Sequence, residues 1–326
     1  MALDEFSLIR QFFTASMPAN VLGPGDDAAR VPMPLGAQLV VTKDLLIEGQ
    51  HFFPNVKPLS LGYKSLAVNL SDLAAMGATP VGCLLGLGLP KADPVWLQGF
   101  SEGFLSLSQA AQCPLVGGDT VRAQDLAIIS VTALGALPSG QTGLLRSGAQ
   151  VGDDIWVSGY LGAAHIALLG LQGDDRISAQ RLEQTRHALE KPQPRLALGQ
   201  GLLNLAHSAI DISDGFVQDL GHVLTASVCG ATIDYAAMPI HPALLDIPLA
   251  LQQEAVLSGG DVFELCFTAP ESNRAAVLAL GKALNIQVTR VGAIEQTSGL
   301  RVLDQFAQPI KISYGGFDHF KDHEKR

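Results

Sequence analysis

The chain has 326 residues, 48% apolar and 16% charged, with 34 glycines and 18 prolines, which suits a compact globular protein of two domains and argues against disorder. Its net charge of −10 speaks against a nucleic-acid partner, because a phosphate backbone is gripped by clustered Lys and Arg. No apolar run reaches bilayer length, Asp4 and Glu5 stand where an export signal carries positive charge, and Cys83, Cys113, Cys229 and Cys266 form no CxxC pair; a cytoplasmic protein with free thiols, no membrane partner and no zinc is expected.

The pattern predicts an amphipathic helix from about Asp4 to Met17, with Phe6, Ile9 and Phe13 on one face. Gly25-Asp26-Asp27 follows. A strand from Leu39 to Leu46 carries Thr42-Lys43-Asp44. The next helix runs from about Ser60 to Met76 and stops at Gly77, with Leu66, Leu70 and Leu73 on one face and Ser65, Asn69 and Asp72 in a stripe at i, i+4 and i+7. That stripe fits solvent or a ligand equally, and the small or apolar flanks Ala67, Val68, Ala74 and Ala75 tilt it toward a ligand. Pro114-Leu115-Val116 then leads into Gly117-Gly118-Asp119-Thr120, and an alternating run from Ile128 to Leu137 closes the first half. Pro138, Ser139, Gly140, Gly143, Ser147 and Gly148 break the pattern, giving an N-terminal domain over 1–137, a linker over 138–150 and a C-terminal domain over 151–326.

In the second half, Asp153 to Ser158 reads as a strand, Gly159 to Gly162 as a turn and Ala163 to Leu171 as a helix, an order that can present backbone N–H groups to a phosphate. Ala209-Ile210 leads into Asp211-Ile212-Ser213-Asp214-Gly215, which opens a helix with Phe216, Leu220 and Leu224 on one face; Asp214 fits a helix cap and a metal ligand equally. Gly259-Gly260-Asp261 is the last acidic motif. Neither GxxxxGK[ST] nor GxGxxG occurs, so the two common nucleotide-binding folds are unsupported.

Taken singly, each of these six Asp-containing motifs reads as a turn. Together they suggest acids gathered at strand-end loops, an arrangement that mutual repulsion forbids unless hard divalent cations sit among them. Several Mg²⁺ ions are the expectation, and they let an acidic protein bind a nucleotide by reversing the local field.

The motifs EFSLI from Glu5, GDDAA, NLSDLAAMGA, GGDT, RSGA, IDISDG, SGGDVFELCF and the closing GGFDHF to Phe320 resemble the thiamine-monophosphate kinase family of the aminoimidazole ribonucleotide synthetase-like superfamily over almost the whole chain. The resemblance implies an α/β (α+β) fold of two domains. The N-terminal sheet would form a homodimer interface and the C-terminal α/β domain would close the active site. It also implies an enzyme that transfers the γ-phosphoryl of ATP directly to thiamine phosphate with several Mg²⁺ ions and no covalent intermediate.

Carried over residue by residue, Asp27, Thr42, Lys43, Asp44, Asp72, Asp119 and Asp211 match metal-holding positions, and Asp214 a further ion. Gly118, Asp119, Arg146 and Ser213 match ATP-binding positions; His51, Asp261 and Phe317 match positions that contact thiamine. Asp44, Asp119 and Arg146 are the expected catalytic set, with Arg146 the side-chain cation on the ATP phosphates. Three departures bear on substrate affinity: Lys43 for a hydroxyl residue, Asp261-Val262 for Glu-Asp, and Phe317 for Tyr or Trp. Other readings are a different ATP-dependent synthetase of the superfamily or a non-catalytic thiamine- or metal-binding module. The selenium-handling relatives carry an N-terminal reactive Cys and the hydrogenase-maturation relatives a C-terminal one, whereas no cysteine precedes Cys83 here and the sequence closes on Lys325-Arg326.

Overall fold

The computed structural model describes residues 5–24 and 28–312, so Asp27 and Phe317, both carried over as site residues, lie outside the described residues. The chain divides into two compact units, Met1–Leu73 with Ala78–Thr142, and Ala74–Gly77 with Gly143–Arg326.

The first unit begins with helix α1 (Glu5–Phe12), shorter than the Asp4–Met17 span predicted. Thr14 ends it early: its hydroxyl turns back onto the Ile9 carbonyl, already taken by the Phe13 N–H, and competes with a further turn. Leu8, Phe12 and Phe13 are buried. Strand β1 (Gln38–Ile47), helix α2 (Pro58–Ala75), strand β2 (Thr79–Leu89), helix α3 (Pro94–Ala110), strand β3 (Leu115–Arg122) and strand β4 (Ile128–Leu137) follow. Their sheet has the order β1-β4-β2-β3, antiparallel except for β2 with β3.

Helix α2 ends as its sequence dictates. Gly77 takes a left-handed φ of 71°, its N–H bonds the Ala74 carbonyl at 3.0 Å and the Ala78 N–H bonds the Leu73 carbonyl at 2.9 Å, closing the last turn. Leu66, Leu70 and Leu73 are fully buried, each burial contributing roughly 2 kcal/mol. Helix α3 starts at Asp93, whose carboxylate accepts from the Val95 and Trp96 N–H groups ahead of Pro94. The two helices meet at glycines. A Cβ on Gly62 would lie 1.9 Å from the Phe100 carbonyl oxygen and one on Gly103 1.9 Å from the Leu59 carbonyl oxygen, so neither position admits a side chain.

The other face of this sheet carries exposed apolar side chains beside Lys43, Ser130 and Asp119. Leu39, Val41 and Leu45 of β1 alternate outward, with Leu84, Val121 and Ile128 on neighbouring strands, and all six are exposed.

The second unit takes in strand β5 (Asp154–Ser158), helices α4 (Ala163–Leu171), α5 (Ala179–Glu190) and α6 (Leu196–Leu202), strand β6 (Ser208–Asp211), helix α7 (Phe216–Ser227), strand β7 (Gly230–Asp234), helix α8 (Leu249–Leu257), strand β8 (Leu265–Ala269), helix α9 (Arg274–Ala283) and strands β9 (Val288–Glu295) and β10 (Gly299–Leu303). The sheet order is β10-β7-β9-β5-β8-β6, with only β10 and β7 parallel. Two apolar clusters cover it, one around Ile155, Val157, Ile210, Phe216 and Leu220, the other around Trp156, Leu198, Leu202 and Phe267. No helix among the described residues is long and apolar enough to cross a membrane.

Candidate active site

In the first unit the candidate residues come from β1 and α2. Thr42 and Asp44 lie two apart on β1 and so share a face, and that face meets the polar stripe of α2. The Thr42 hydroxyl donates to the Asp72 carboxylate, and the Asp44 N–H donates to Asn69 Oδ1 at 3.1 Å. Ser65 and Asn69 are fully buried, so the stripe faces β1 and not solvent. Asn69 is held in turn by its own Nδ2 on the Ser65 carbonyl at 3.3 Å. Burial, and then the charge of Asp72, push the Asp44 carboxyl up to about 7. Two carboxylates that each disfavour the other's ionisation form a natural cation site, because a bound ion relieves both burdens.

The expectation that the acidic motifs occupy strand-end loops fails for three of them, since Asp72 lies inside α2 and two others lie inside strands. Thr42-Lys43-Asp44 lies inside β1, and Gly117 to Thr120 lies inside β3, paired with Leu84 to Leu87 of β2. The glycines make that pairing feasible: a Cβ on Gly118 would sit 1.9 Å from the Leu85 carbonyl oxygen. Asp119 is exposed and stands opposite Gly86, whose antiparallel partner is Ser130. Asp44 stands one row away, opposite Val131, and adjacent rows point to opposite faces of a sheet. The structure therefore brings Thr42, Asp44 and Asp72 together and sets Asp119 apart from them. Lys43 points its Nζ to Ser130 Oγ at 2.5 Å, on the Asp119 side. His51 lies in the turn after β1, where its Nδ1 accepts the Ile47 N–H at 3.0 Å, which fixes the ring and leaves Nε2 as the protonated nitrogen.

In the second unit, two motifs about 50 residues apart in the chain are joined through their backbones. The Asp261 N–H donates to the Ser213 carbonyl, the Phe263 N–H to the Ile212 carbonyl and the Ile212 N–H to the Glu264 carbonyl, each at 2.8 Å. Asp211, the last residue of β6, is buried, while Ser213 and Asp214 are half-buried. Asp261 and Phe263 both adopt left-handed φ values, 60° and 56°, a conformation that costs residues with a Cβ on the order of 1 kcal/mol each and collects at binding sites.

Asp214 does not cap α7, one of the two roles its position allowed. Gly215 is the cap residue, and the N–H groups of Ser213, Asp214 and Gly215 all converge at 3.1 Å on Oδ2 of Asp219 in the first turn. Asp219 is buried; desolvation and then the Asp214 charge push its carboxyl up to about 7 against the pull of those three bonds. Asp219 is absent from the expected site, yet an Asp in the first turn behind a Gly-Phe start is a readable signal. Arg146 opens a short 3-10 turn over Arg146–Gly148, its side chain exposed and its carbonyl accepting from Ser227 Oγ at 2.8 Å. Among the described residues no three His, Cys, Asp or Glu side chains stand close enough together to hold an ion. The four cysteines are buried and free.

With the geometry in place, comparison defines the class. Residues 25–137 match the N-terminal domain and residues 150–305 the C-terminal domain of AIR synthase related proteins. The thiamine-monophosphate kinase of Escherichia coli K12 is 42% identical over 98% of this chain and 99% of its own. The crystal structure of thiamine-monophosphate kinase from Stenotrophomonas maltophilia K279a superposes with a TM-score of 0.82 at 43% identity, covering 87% of this chain and 91% of that one. AaThiL complexed with AMPPCP and TMP gives a TM-score of 0.76 at 26% identity over 90% and 91% of the two chains. The chain belongs to the thiamine-monophosphate kinase family.

Proposed function

We propose that the protein transfers the γ-phosphoryl group of ATP to thiamine phosphate in one in-line step, giving thiamine diphosphate and ADP. The observation that carries this reading is 42% identity to a thiamine-monophosphate kinase over 98% of the chain, together with the Thr42, Asp44, Asp72 and Asn69 constellation. An oxygen of the acceptor phosphate forms the new P–O bond as the bond to the β-phosphate breaks. That acceptor is already an anion at neutral pH, so no general base is needed and catalysis rests on alignment and charge neutralisation.

The donor set of Asp44, Asp72 and Thr42, all oxygens with one carboxyl pushed up by burial and then by its neighbour, fits a hard divalent cation. Asp27, Lys43 through its main chain, Asp119, Asp211 and Asp214 complete the proposed set by motif match. Mg²⁺ bound there supplies the positive charge that lets two polyanions approach. For Asp119 the support is the GGDT match and its exposure, since its sheet row differs from that of Asp44. Gly118, Arg146 and Ser213 contact ATP in this reading, with Arg146 gripping phosphate oxygens through its planar guanidinium. His51, Asp261 and Phe317 contact thiamine. The exposed apolar side chains on the sheet face support a homodimer, and the four free cysteines support a cytoplasmic location.

The test is an acceptor assay. Purified protein with Mg-ATP and thiamine, thiamine phosphate or no acceptor is expected to form thiamine diphosphate from thiamine phosphate alone, with one ADP per product. ADP release without a phosphorylated thiamine product, or phosphorylation of free thiamine, overturns the reading.

A further inference from the structure

A polar cluster that the reaction does not use sits directly behind the proposed thiamine contact. Glu264 is 7% exposed and is gripped by both prongs of Arg195, through Nε to Oε2 at 2.7 Å and through Nη2 to Oε1. The Ser158 hydroxyl donates to Glu264 Oε2 at 2.5 Å and accepts the Leu265 N–H at 2.9 Å. Room for this fork exists because residue 159 is glycine, at a φ of 58°: a Cβ there would lie 1.9 Å from Glu264 Oε1. The Gly159-Tyr160-Leu161-Gly162 turn is thereby accounted for without a phosphate.

Glu264 immediately follows the Asp261–Phe263 stretch, in which two non-glycine residues are held left-handed. Such a stretch keeps its shape only if both ends are fixed. At the near end, a Cβ on Gly259 would meet the Ala255 carbonyl oxygen and one on Gly260 the Ser213 carbonyl oxygen, so the backbone there is closely enclosed. At the far end the Phe263 N–H and the Glu264 carbonyl both bond Ile212, and the Glu264 side chain adds its grip on Arg195 and Ser158. A buried pair of this kind contributes little net stability compared with apolar packing, whereas its two-pronged geometry fixes position.

We propose that Arg195 and Glu264 are a positioning pair that sets the affinity for thiamine phosphate by holding Asp261 in its left-handed conformation; the proposal rests on the kinase reading above. Neither residue touches substrate in this account. Glu264→Gln, which keeps the shape and removes the charge, and Arg195→Met are each expected to raise KM for thiamine phosphate about tenfold while KM for ATP and kcat stay within about threefold. Arg195→Lys, keeping the charge without the fork, falls between them and wild type.

The same shift in Glu264→Gln and Arg195→Met, with no further rise when the two are combined, identifies residues that act as one unit. A folded Glu264→Gln with unchanged KM for thiamine phosphate, or with both KM values raised equally, overturns the proposal. Should Glu264→Gln fail to fold, Arg195→Lys decides the question on the same criterion. A wild type inert toward thiamine phosphate overturns the kinase reading and this inference with it, whereas an active wild type with unmoved variants overturns the pair alone.

Discussion

At Asp44, burial and the neighbouring Asp72 both oppose ionisation, and the carboxyl is pushed up to about 7 from its ordinary 3.8. A carboxyl whose folded value is raised binds its proton more tightly in the native state, so its contribution is full below the unfolded value and is lost as pH rises through about 7. Metal-free protein is therefore expected to lose thermal stability between pH 5 and pH 8, a window lying within and just above that span. Asp44→Asn, which cannot ionise, reduces that slope in a melting series and leaves the share of Asp219, whose carboxyl is also pushed up to about 7; an unchanged slope removes Asp44 as a source. Asp119 offers the contrasting case. Being exposed, it carries little of the fold, so Asp119→Asn is expected to melt like wild type and to lose turnover by about 100-fold or more, the loss typical of a transition-state contact. Near-normal rates at saturating Mg²⁺ would remove Asp119 from the site. The residues themselves mark Asp44, Asp72 and Asp119 as candidates through their glycine and hydroxyl neighbours, and the structure groups the first two and not the third. The Arg195–Glu264 pair was not announced, because its partners are set by which backbone loops meet: Arg195 and Glu264 stand 69 positions apart in the chain.

At the scale of elements, hydrophobic periodicity located the α2 and β1 surfaces that carry Thr42, Asp44, Asn69 and Asp72. The Leu66, Leu70 and Leu73 face and the Ser65, Asn69 and Asp72 stripe are both real, and only packing decided that the stripe turns inward. Asn69→Ala leaves the Asp44 N–H without its partner and is expected to destabilise the protein by roughly 1–3 kcal/mol in urea titration. β4 and α4 occupy the spans their apolar patterns predict, Ile128–Leu137 and Ala163–Leu171. The GGDT segment does not follow its local preference. Gly and Asp are poor strand formers, yet pairing along β2 recruits them, since close contact with the Leu85 carbonyl demands a residue without a Cβ. Gly118→Ala is accordingly expected to destabilise by about 3 kcal/mol or more, through a clash with backbone that cannot rotate away. A loss below about 1 kcal/mol would show that β3 can shift without cost.

On the scale of the molecule, the second compact unit takes up the chain at Gly143, inside the Pro, Gly and Ser interruption that follows Leu137. Exposed strand residues Leu39, Val41 and Leu45 were visible in the sequence, but alternation alone does not say which face of a sheet its own helices cover. Because those residues and Leu84, Val121 and Ile128 stay bare, light scattering is expected to give the mass of two chains, and Val41→Glu the mass of one. The central claim is that acids remote in the chain hold shared cations between two phosphate groups. A crystal structure with Mg²⁺, a non-hydrolysable ATP analogue and thiamine phosphate tests it most directly. The account predicts ions bound by Asp44 and Asp72 in the first unit and by Asp211 and Asp214 in the second, each also touching a phosphate oxygen. Phosphates seated without metal, with these carboxylates turned to solvent, would contradict it.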